Sequence, residues 1–372
     1  MSGILDVIPR PVSVRPMGGF CRFSGLTGNA AGKGAAECGV FAAQTRGIPV
    51  SEKGAGLRCV QDESLAEEAY RLRIESGGIT LAGSSESGIY RGLQTLRQIV
   101  LSARGGDIPC AEIEDHPRFS WRGFMLDCSR HFFTAGFIKK IIDALSLHHI
   151  NKFHWHLTDD QGWRLPVPSY PLLVEKGAWR KETRFEGRRE GGFYTADEIR
   201  SIVRFAAARH VEIIPEVDLP GHTLSALASY PELGCTGGPY ETEDRYGIFE
   251  DVLCAGNDRV FDFTEAVFGA MADLFPSPFV HIGGDEVRFN RWEACPKCKK
   301  RLAETGLSKP RELQSWITFR LAAMLAARGK IPIGWDEILE DSPKYPLPSE
   351  AVIMSWRGRQ GGLDAARRGR RV

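Results

Sequence analysis

The rhythm of apolar and polar positions changes once along the chain, near residue 115. Before that point, Tyr70-Arg71-Leu72-Arg73-Ile74 alternates, Gly77-Gly78 turns, and Ile79-Thr80-Leu81 alternates again, which predicts a β-hairpin. Ile89, Leu93, Leu96 and Ile99 then recur at helical spacing and predict a helix over residues 87–101. The stretch from Ile108-Pro109 to His116-Pro117 reads as a linker. Residues 1–115 are therefore expected to form a small α+β domain with no catalytic constellation of its own.

From Trp121 onward, short and nearly continuous apolar runs alternate with amphipathic stretches. Strands are expected at 123–128, 152–157, 211–217, 279–282, 331–335 and 351–356. The clearest helices lie at 134–147, at 196–209 behind the capping box Thr195-Ala196-Asp197-Glu198, and at 311–328 between Pro310 and Gly329. Repeated βα units with short apolar strands imply a parallel sheet covered on both faces. Either a TIM barrel or a doubly wound sheet satisfies that pattern.

Polar residues at the strand ends separate the two. Asp127 and Arg130 follow the first strand, His156, Asp159 and Asp160 the second, and Glu216, Asp218 and His222 the third. Asp285 and Glu286, then Trp335, Asp336 and Glu337, then Trp356 and Arg357 follow the next three. A barrel gathers all its strand ends at one mouth, whereas an open sheet concentrates its site at a switch point. The expected fold is thus α/β, a TIM (β/α)8 barrel over residues 116–372. About six βα units are legible, and the end at Arg370-Arg371-Val372 looks like the start of a seventh strand. On this reading the barrel is C-terminally truncated, and the 372-residue chain is expected to be weak or inactive by itself.

Composition narrows the chemistry. A formal net charge of +1 gives no field that would draw nucleic acid or an anionic membrane, so neither is expected as a partner. The arginines between 357 and 371 read as a solvated helix face, since they lack interleaved aromatics. The N-terminus has no basic stretch followed by an apolar one, and a cytoplasmic location is the expectation. Nine scattered cysteines suggest free thiols. Cys295-Pro296-Lys297-Cys298 is one close pair, but no second pair or spaced histidines follow it, so no metal site is expected there. No Gly-rich phosphate loop or dinucleotide fingerprint is present, and no cofactor is expected.

The strongest single stretch is Phe279-Val280-His281-Ile282-Gly283-Gly284-Asp285-Glu286, a buried strand opening through two glycines onto adjacent carboxylates. Carboxylates, histidines, an arginine and tryptophans suit acid/base hydrolysis of a glycoside against indole walls. Two rivals stand beside it. His154 and His156 share a strand face, and with His222, His281 and Asp285 they would suit a metal-dependent amidohydrolase. A carbohydrate-binding protein without chemistry would keep the tryptophans and the arginine.

Five stretches resemble glycoside hydrolase family 20, the β-N-acetylhexosaminidases. They run from Arg122 to Phe132, from Asn151 to Arg164, from Pro215 to His222, from His281 to Glu286 and from Gly334 to Glu337. Gly88-Ile89-Tyr90-Arg91-Gly92-Leu93 resembles the family's accessory domain. The resemblance implies retaining, substrate-assisted hydrolysis of terminal N-acetylhexosamine residues through an oxazolinium intermediate. It implies Glu286 as general acid/base, Asp285 on the acetamido group, and His222 with Asp159 as the pair tuning Glu286. Arg130 would clamp sugar hydroxyls, and Trp335 and Trp356 would wall the acetamido pocket. The implied partner is an N-acetylhexosamine-containing oligosaccharide or glycoconjugate.

Overall fold

The computed structural model describes residues 6–23, 34–45, 56–103, 107–181, 190–340 and 343–372. Contacts divide the chain into two units. One holds Met1–Phe124, Gly136–Phe153 and Arg204–Glu212; the other holds Met125–Ala135, His154–Val203 and Ile213–Val372.

The first unit is built on a five-stranded sheet. Its strands are β1 (Ser13–Arg22), β2 (Leu57–Gln61), β3 (Tyr70–Glu75), β4 (Gly78–Gly83) and β5 (Asp107–Asp115), in the order β1-β5-β3-β4-β2. A short helix α1 (Ala35–Gln44) precedes β2, and α2 (Glu86–Ser102) joins β4 to β5. The expected hairpin is present as antiparallel β3 and β4. Ser85 caps α2 by accepting the Gly88 N–H at 3.1 Å. Ile89, Leu93, Leu96 and Ile99 then bury one face of α2 in a core with Leu72, Ile74, Ile79 and Leu81. Gly92 allows that approach, because a Cβ there would run into the Leu81 side chain.

The expected linker over 108–117 is corrected: most of it is β5, an inner strand paired antiparallel with both β1 and β3. Pro109 hid it from the pattern. Proline removes a ladder donor, and here it lies opposite Phe20, where the β1 register shifts between Pro16 and Phe20.

The parallel sheet comprises β6 (Gly123–Asp127), β7 (Lys152–His156), β8 (Glu212–Glu216), β9 (Phe279–His281), β10 (Ile331–Trp335) and β11 (Val352–Met354). Its spatial order, β11-β10-β9-β8-β7-β6, is simply the chain order. Each strand is laid beside its predecessor and the winding never reverses. A doubly wound sheet would reverse at a switch point, so the topology is that of the strands of a (β/α) barrel. Crossover helices include α3 (Ala135–Leu147), α4 (Ala196–Ala207), α5 (Arg259–Leu274) and α6 (Glu312–Ala326). The capping box of α4 forms as expected: Thr195 Oγ1 accepts the Glu198 N–H at 3.2 Å, and Glu198 Oε2 accepts the Thr195 N–H at 2.9 Å.

Between β7 and α4 the long connection is tied to its own backbone and to the turn after β6. The buried Arg164 guanidinium donates to the carbonyls of Cys128, Ser129, Ala178 and Gly192. Trp163 is buried beside Phe263 and donates to Leu165 O at 2.6 Å, so its role is packing. After β11 a last helix, α7 (Arg359–Arg367), leads to Arg371, which forms an isolated parallel bridge with Val352. The basic residues around it have internal partners: Arg357 Nε lies 3.0 Å from Asp336, and Arg368 Nη1 donates to Leu339 O.

The expectation that the Cys295/Cys298 pair lacks companions is also corrected. Cys235 and Cys254, from the long β8–α5 connection, bring their sulfurs to it, and all four lie within 4.8 Å of one another. The missing pair stands upstream, too far away in sequence for a spacing rule to find.

Candidate active site

The C-terminal ends of β6 to β9 deliver a chain of charged groups. Asp127, His156, Glu216 and His281 are the last residues of their strands. Glu216 is fully buried at the centre: His154 Nε2 and His156 Nδ1 reach its Oε2 at 2.7 and 2.5 Å, and His281 Nδ1 lies 2.9 Å from Oε1. Burial alone would raise the Glu216 carboxyl, but the charges of His156, His281 and His154 hold it well below the usual carboxylate range. The histidines that the sequence offered as metal ligands therefore converge on a carboxylate.

His156 carries the chain onward. Its Nε2 lies 2.8 Å from Asp159 Oδ2, so both ring nitrogens donate to carboxylates and the ring is an imidazolium. Burial opposes that charge, but Glu216 and Asp159 raise the His156 pKa well above its ordinary value. Asp159 in turn receives Arg130 Nη2 at 2.7 Å. The rest of the Arg130 fork donates to Asp127 Oδ2 at 3.0 Å and Gln161 Oε1 at 3.2 Å. Arg130 Nη1 also lies 3.3 Å from His156 Nε2.

His222 joins this chain to the paired acids. Its Nδ1 donates to Asp160 Oδ2 at 2.9 Å and lies 3.2 Å from Asp159 Oδ1. The hydrogen bond thus goes to Asp160, the neighbour of the partner expected from the sequence, with Asp159 close behind. Nε2 on the other edge faces Glu286 Oε2 at 3.4 Å and Asp285 Oδ2 at 3.7 Å. Burial would discharge the ring, but Asp159 and Asp160 push the His222 pKa far up, so Nε2 presents a proton to the two acids.

The glycine pair before Asp285 has a specific role. At Gly283, φ is 67° and the place of a Cβ is taken by the Asp218 carboxylate. Gly284 donates its N–H to Asp218 Oδ1 at 3.0 Å, and its carbonyl accepts Gln314 Nε2 of α6 at 2.6 Å. Asp218 is fully buried; desolvation first, then the charge of Asp285, raise its pKa well above the carboxylate norm. With its pKa raised, Asp218 can hold a proton and donate it toward Asp285. Glu286 and His222 both have φ of 51°, a left-handed backbone that costs on the order of 1–3 kcal/mol for such residues and recurs at functional sites.

Glu286 opens onto a cleft of about 300 Å³ lined with Gln314, Glu337, Trp356 and Arg357 among others. Trp356 is anchored there by Nε1 donating to Glu337 Oε2 at 3.0 Å. Trp335 is buried, its ring 4.6 Å from His281 and 5.7 Å from His154, so it packs on the histidine layer. The structure therefore brings Glu286, Asp285, His222, Asp159 and Arg130 into one connected network, with Trp356 at the cleft. Asp160, Glu216, His156 and Asp218 stood out in the sequence only as strand-end polar residues or strand neighbours. What gives them a place is contact across strands, and no spacing along one strand signals that.

Comparison with known proteins agrees along the whole chain. Residues 5–116 match the family model for glycosyl hydrolase family 20, domain 2, and residues 119–372 match that for the glycosyl hydrolase family 20 catalytic domain. A beta-hexosaminidase of Porphyromonas gingivalis is 43% identical over 310 residues, covering 81% of this chain and 39% of that protein. One from Akkermansia muciniphila is 37% identical over 297 residues, covering 79% of this chain and 59% of the relative. The crystal structure of a GH20 exo beta-N-acetylglucosaminidase from Vibrio harveyi in complex with N-acetylglucosamine superposes with a TM-score of 0.88 at 31% identity, covering 99% of this chain and 60% of that one. The chain thus spans about half the length of the curated relatives it matches. With both family models matched in succession and the strand-end network in place, the chain belongs to glycosyl hydrolase family 20.

Proposed function

We propose that the protein is a retaining β-N-acetylhexosaminidase that removes terminal non-reducing GlcNAc or GalNAc, with residues 116–372 carrying the chemistry and 1–115 in an accessory role. The observation that carries the reading is the pair of adjacent acids with different neighbours. Asp285 lies against the buried Asp218, whose pKa burial raises, and Glu286 faces His222 Nε2 at 3.4 Å and the open cleft.

Glu286 is the proton donor. As the glycosidic C–O bond breaks, its proton passes to the leaving oxygen while the substrate's acetamido oxygen attacks the anomeric carbon. The resulting oxazolinium carries a positive charge, and the Asp285 carboxylate stabilises it and orients the acetamido N–H. Water then attacks the anomeric carbon, gives its proton to Glu286 and restores the acetamide. The His222 Nε2–H supports the Glu286 carboxylate that exists between the two proton transfers. Arg130 holds a sugar hydroxyl with its guanidinium, and Trp356 supplies a flat wall at the cleft.

The test is hydrolysis of 4-nitrophenyl GlcNAc and GalNAc glycosides beside the corresponding glucoside, which lacks the acetamido group. Glu286→Gln is expected to lower kcat by about 10²–10⁴-fold, with ligand binding retained. The glucoside is expected to resist cleavage. Equal turnover of the glucoside would remove substrate assistance. An undiminished Glu286→Gln variant would remove the assignment of the acid.

A further inference from the structure

Among the described residues, the largest group of potential metal-ligating side chains outside the strand-end network is made of sulfur. Cys235 and Cys298 lie 3.8 Å apart, Cys254 and Cys295 3.8 Å, and Cys254 and Cys298 3.6 Å. Four sulfurs each about 2.3 Å from one central ion form a tetrahedron with edges of about 3.8 Å. The observed separations match that edge. They are also too tight for a multi-iron cluster, in which the cysteines ligate different iron atoms.

The surroundings have the form of a built site. Cys295 is the N-cap of the helix Pro296–Thr305 and Cys298 lies in its first turn, so the Cys-Pro-Lys-Cys turn sets two sulfurs at the positive end of a ten-residue helix. Cys235 follows the turn Pro231–Leu233, and Cys254 follows the bridge between Gly234 and Leu253. Gly256 lies against this turn so closely that a Cβ would meet the Lys297 carbonyl group, and its N–H donates to the sulfurs of Cys254 and Cys298. Such outer N–H donors hold thiolate ligands in orientation. Cys254, Cys295 and Cys298 are buried, and Cys235 is partly so.

We propose that Cys235, Cys254, Cys295 and Cys298 bind one structural zinc ion in a closed four-thiolate site. Four thiolates leave no open position, so the ion stabilises and does no chemistry. What it stabilises is specific. The connection after His222 is tied back by Leu253 N–H to Pro220 O at 3.0 Å, and the segment after Glu286 is tied to that connection by Trp292 Nε1 to Leu253 O at 2.9 Å. The sulfur cluster fastens the far ends of the same two segments. The proposal concerns binding and stability and stands apart from the proposed hydrolysis.

The test is metal analysis of the protein purified without chelator, joined to thiol counting. About one zinc per chain is expected, and mercurial titration should release it as four otherwise unreactive thiols become available. Protein grown on cobalt should show the near-ultraviolet sulfur-to-metal charge transfer and the visible bands of tetrahedral thiolate coordination. Cys254→Ser and Cys298→Ser should each lose most of the metal, while Cys59→Ser, outside the cluster, should keep it. Should the variants not fold, the metal content and thiol count of the unaltered protein decide the matter alone. Metal-free protein with nine titratable thiols, or a Cys254–Cys298 disulfide found by peptide mapping, would overturn the site. One bound iron in place of zinc would overturn the identity of the ion.

Discussion

Each unit of the chain buries a polar cluster, and the two clusters treat histidine in opposite ways. In the first unit, His149 is buried near Arg91 and Arg122; desolvation first, then the two cations, push its pKa down to about 3, so it is neutral. Glu68 lies beneath both arginines, 3.0 Å from Arg91 Nε and in contact with Arg122. In the second unit, His156 and His222 are just as enclosed, yet both are cations because carboxylates surround them. Burial alone makes a histidine neutral and inert. Burial among acids makes His156 and His222 cations, whereas desolvation still lowers the pKa of His154, which shares Glu216 with two other histidines. In the second cluster His222 turns its charge toward the half-buried acid Glu286.

The comparison can be broken first on its structural side. Glu68→Ala leaves two arginines, one almost wholly buried, without their carboxylate. Removing one partner of such a cluster costs about 3 kcal/mol. A drop in denaturant midpoint with unchanged kcat per folded molecule is the expected outcome. A loss of kcat at unchanged stability would mean that the first cluster is catalytic after all.

A smaller and opposite signature is expected at His222. His222→Gln keeps a donor toward the acids but removes the charge. With Glu286 still in place, kcat on the aryl GlcNAc glycoside should fall about 10- to 100-fold, the loss of about 1.4–2.7 kcal/mol of charge stabilisation. Its pH–rate profile should also shift, which a merely structural role would not produce. If kcat and profile both stay put, Nε2 is a bystander to Glu286.

Much of this division was legible in the sequence because it sits within single segments. The Asp285-Glu286 pair behind two glycines, the His154/His156 alternation and the capping box at Thr195 are local patterns, and each appears where expected. What was not legible depends on segments far apart meeting. Asp218 gains its role from Asp285, 67 residues later by number. Cys254 meets Cys298 across a separation of 44 residues. Strand β5 was hidden for a different reason, since Pro109 broke the local alternation although a bulge in β1 accommodates it. Periodicity reports how one element faces its core; it carries no register between elements.

The finest separation of the two clusters is by pH, since their histidines affect stability with opposite sign. His149 has a depressed pKa, so its contribution is present above its ordinary value of 6.5 and is lost as pH falls from there toward about 3. His222 and His156 have raised values, so their contribution is complete below 6.5 and declines as pH rises toward their folded values. Asp159 and Glu216 have depressed values, so what they add is present above their ordinary 3.8 and 4.5 and is lost as pH falls below. The contributions of these two histidines and two carboxylates overlap between 4.5 and 6.5, the raised pKa of Asp218 adds a decline as pH rises above 3.8, and the first cluster weakens as pH falls through the same interval. Thermal midpoints measured across pH should therefore respond differently to two substitutions. His149→Gln should flatten the fall on the acid side below 6.5, and His222→Gln should flatten the fall on the alkaline side above it. For a chain of this size each kcal/mol corresponds to about 2–4 °C or less, so the two slopes differ by only a few degrees per pH unit. Were both substitutions to flatten the same limb, the charges assigned to the two clusters would be wrong, and with them the physical distinction between an enclosed histidine and a working one.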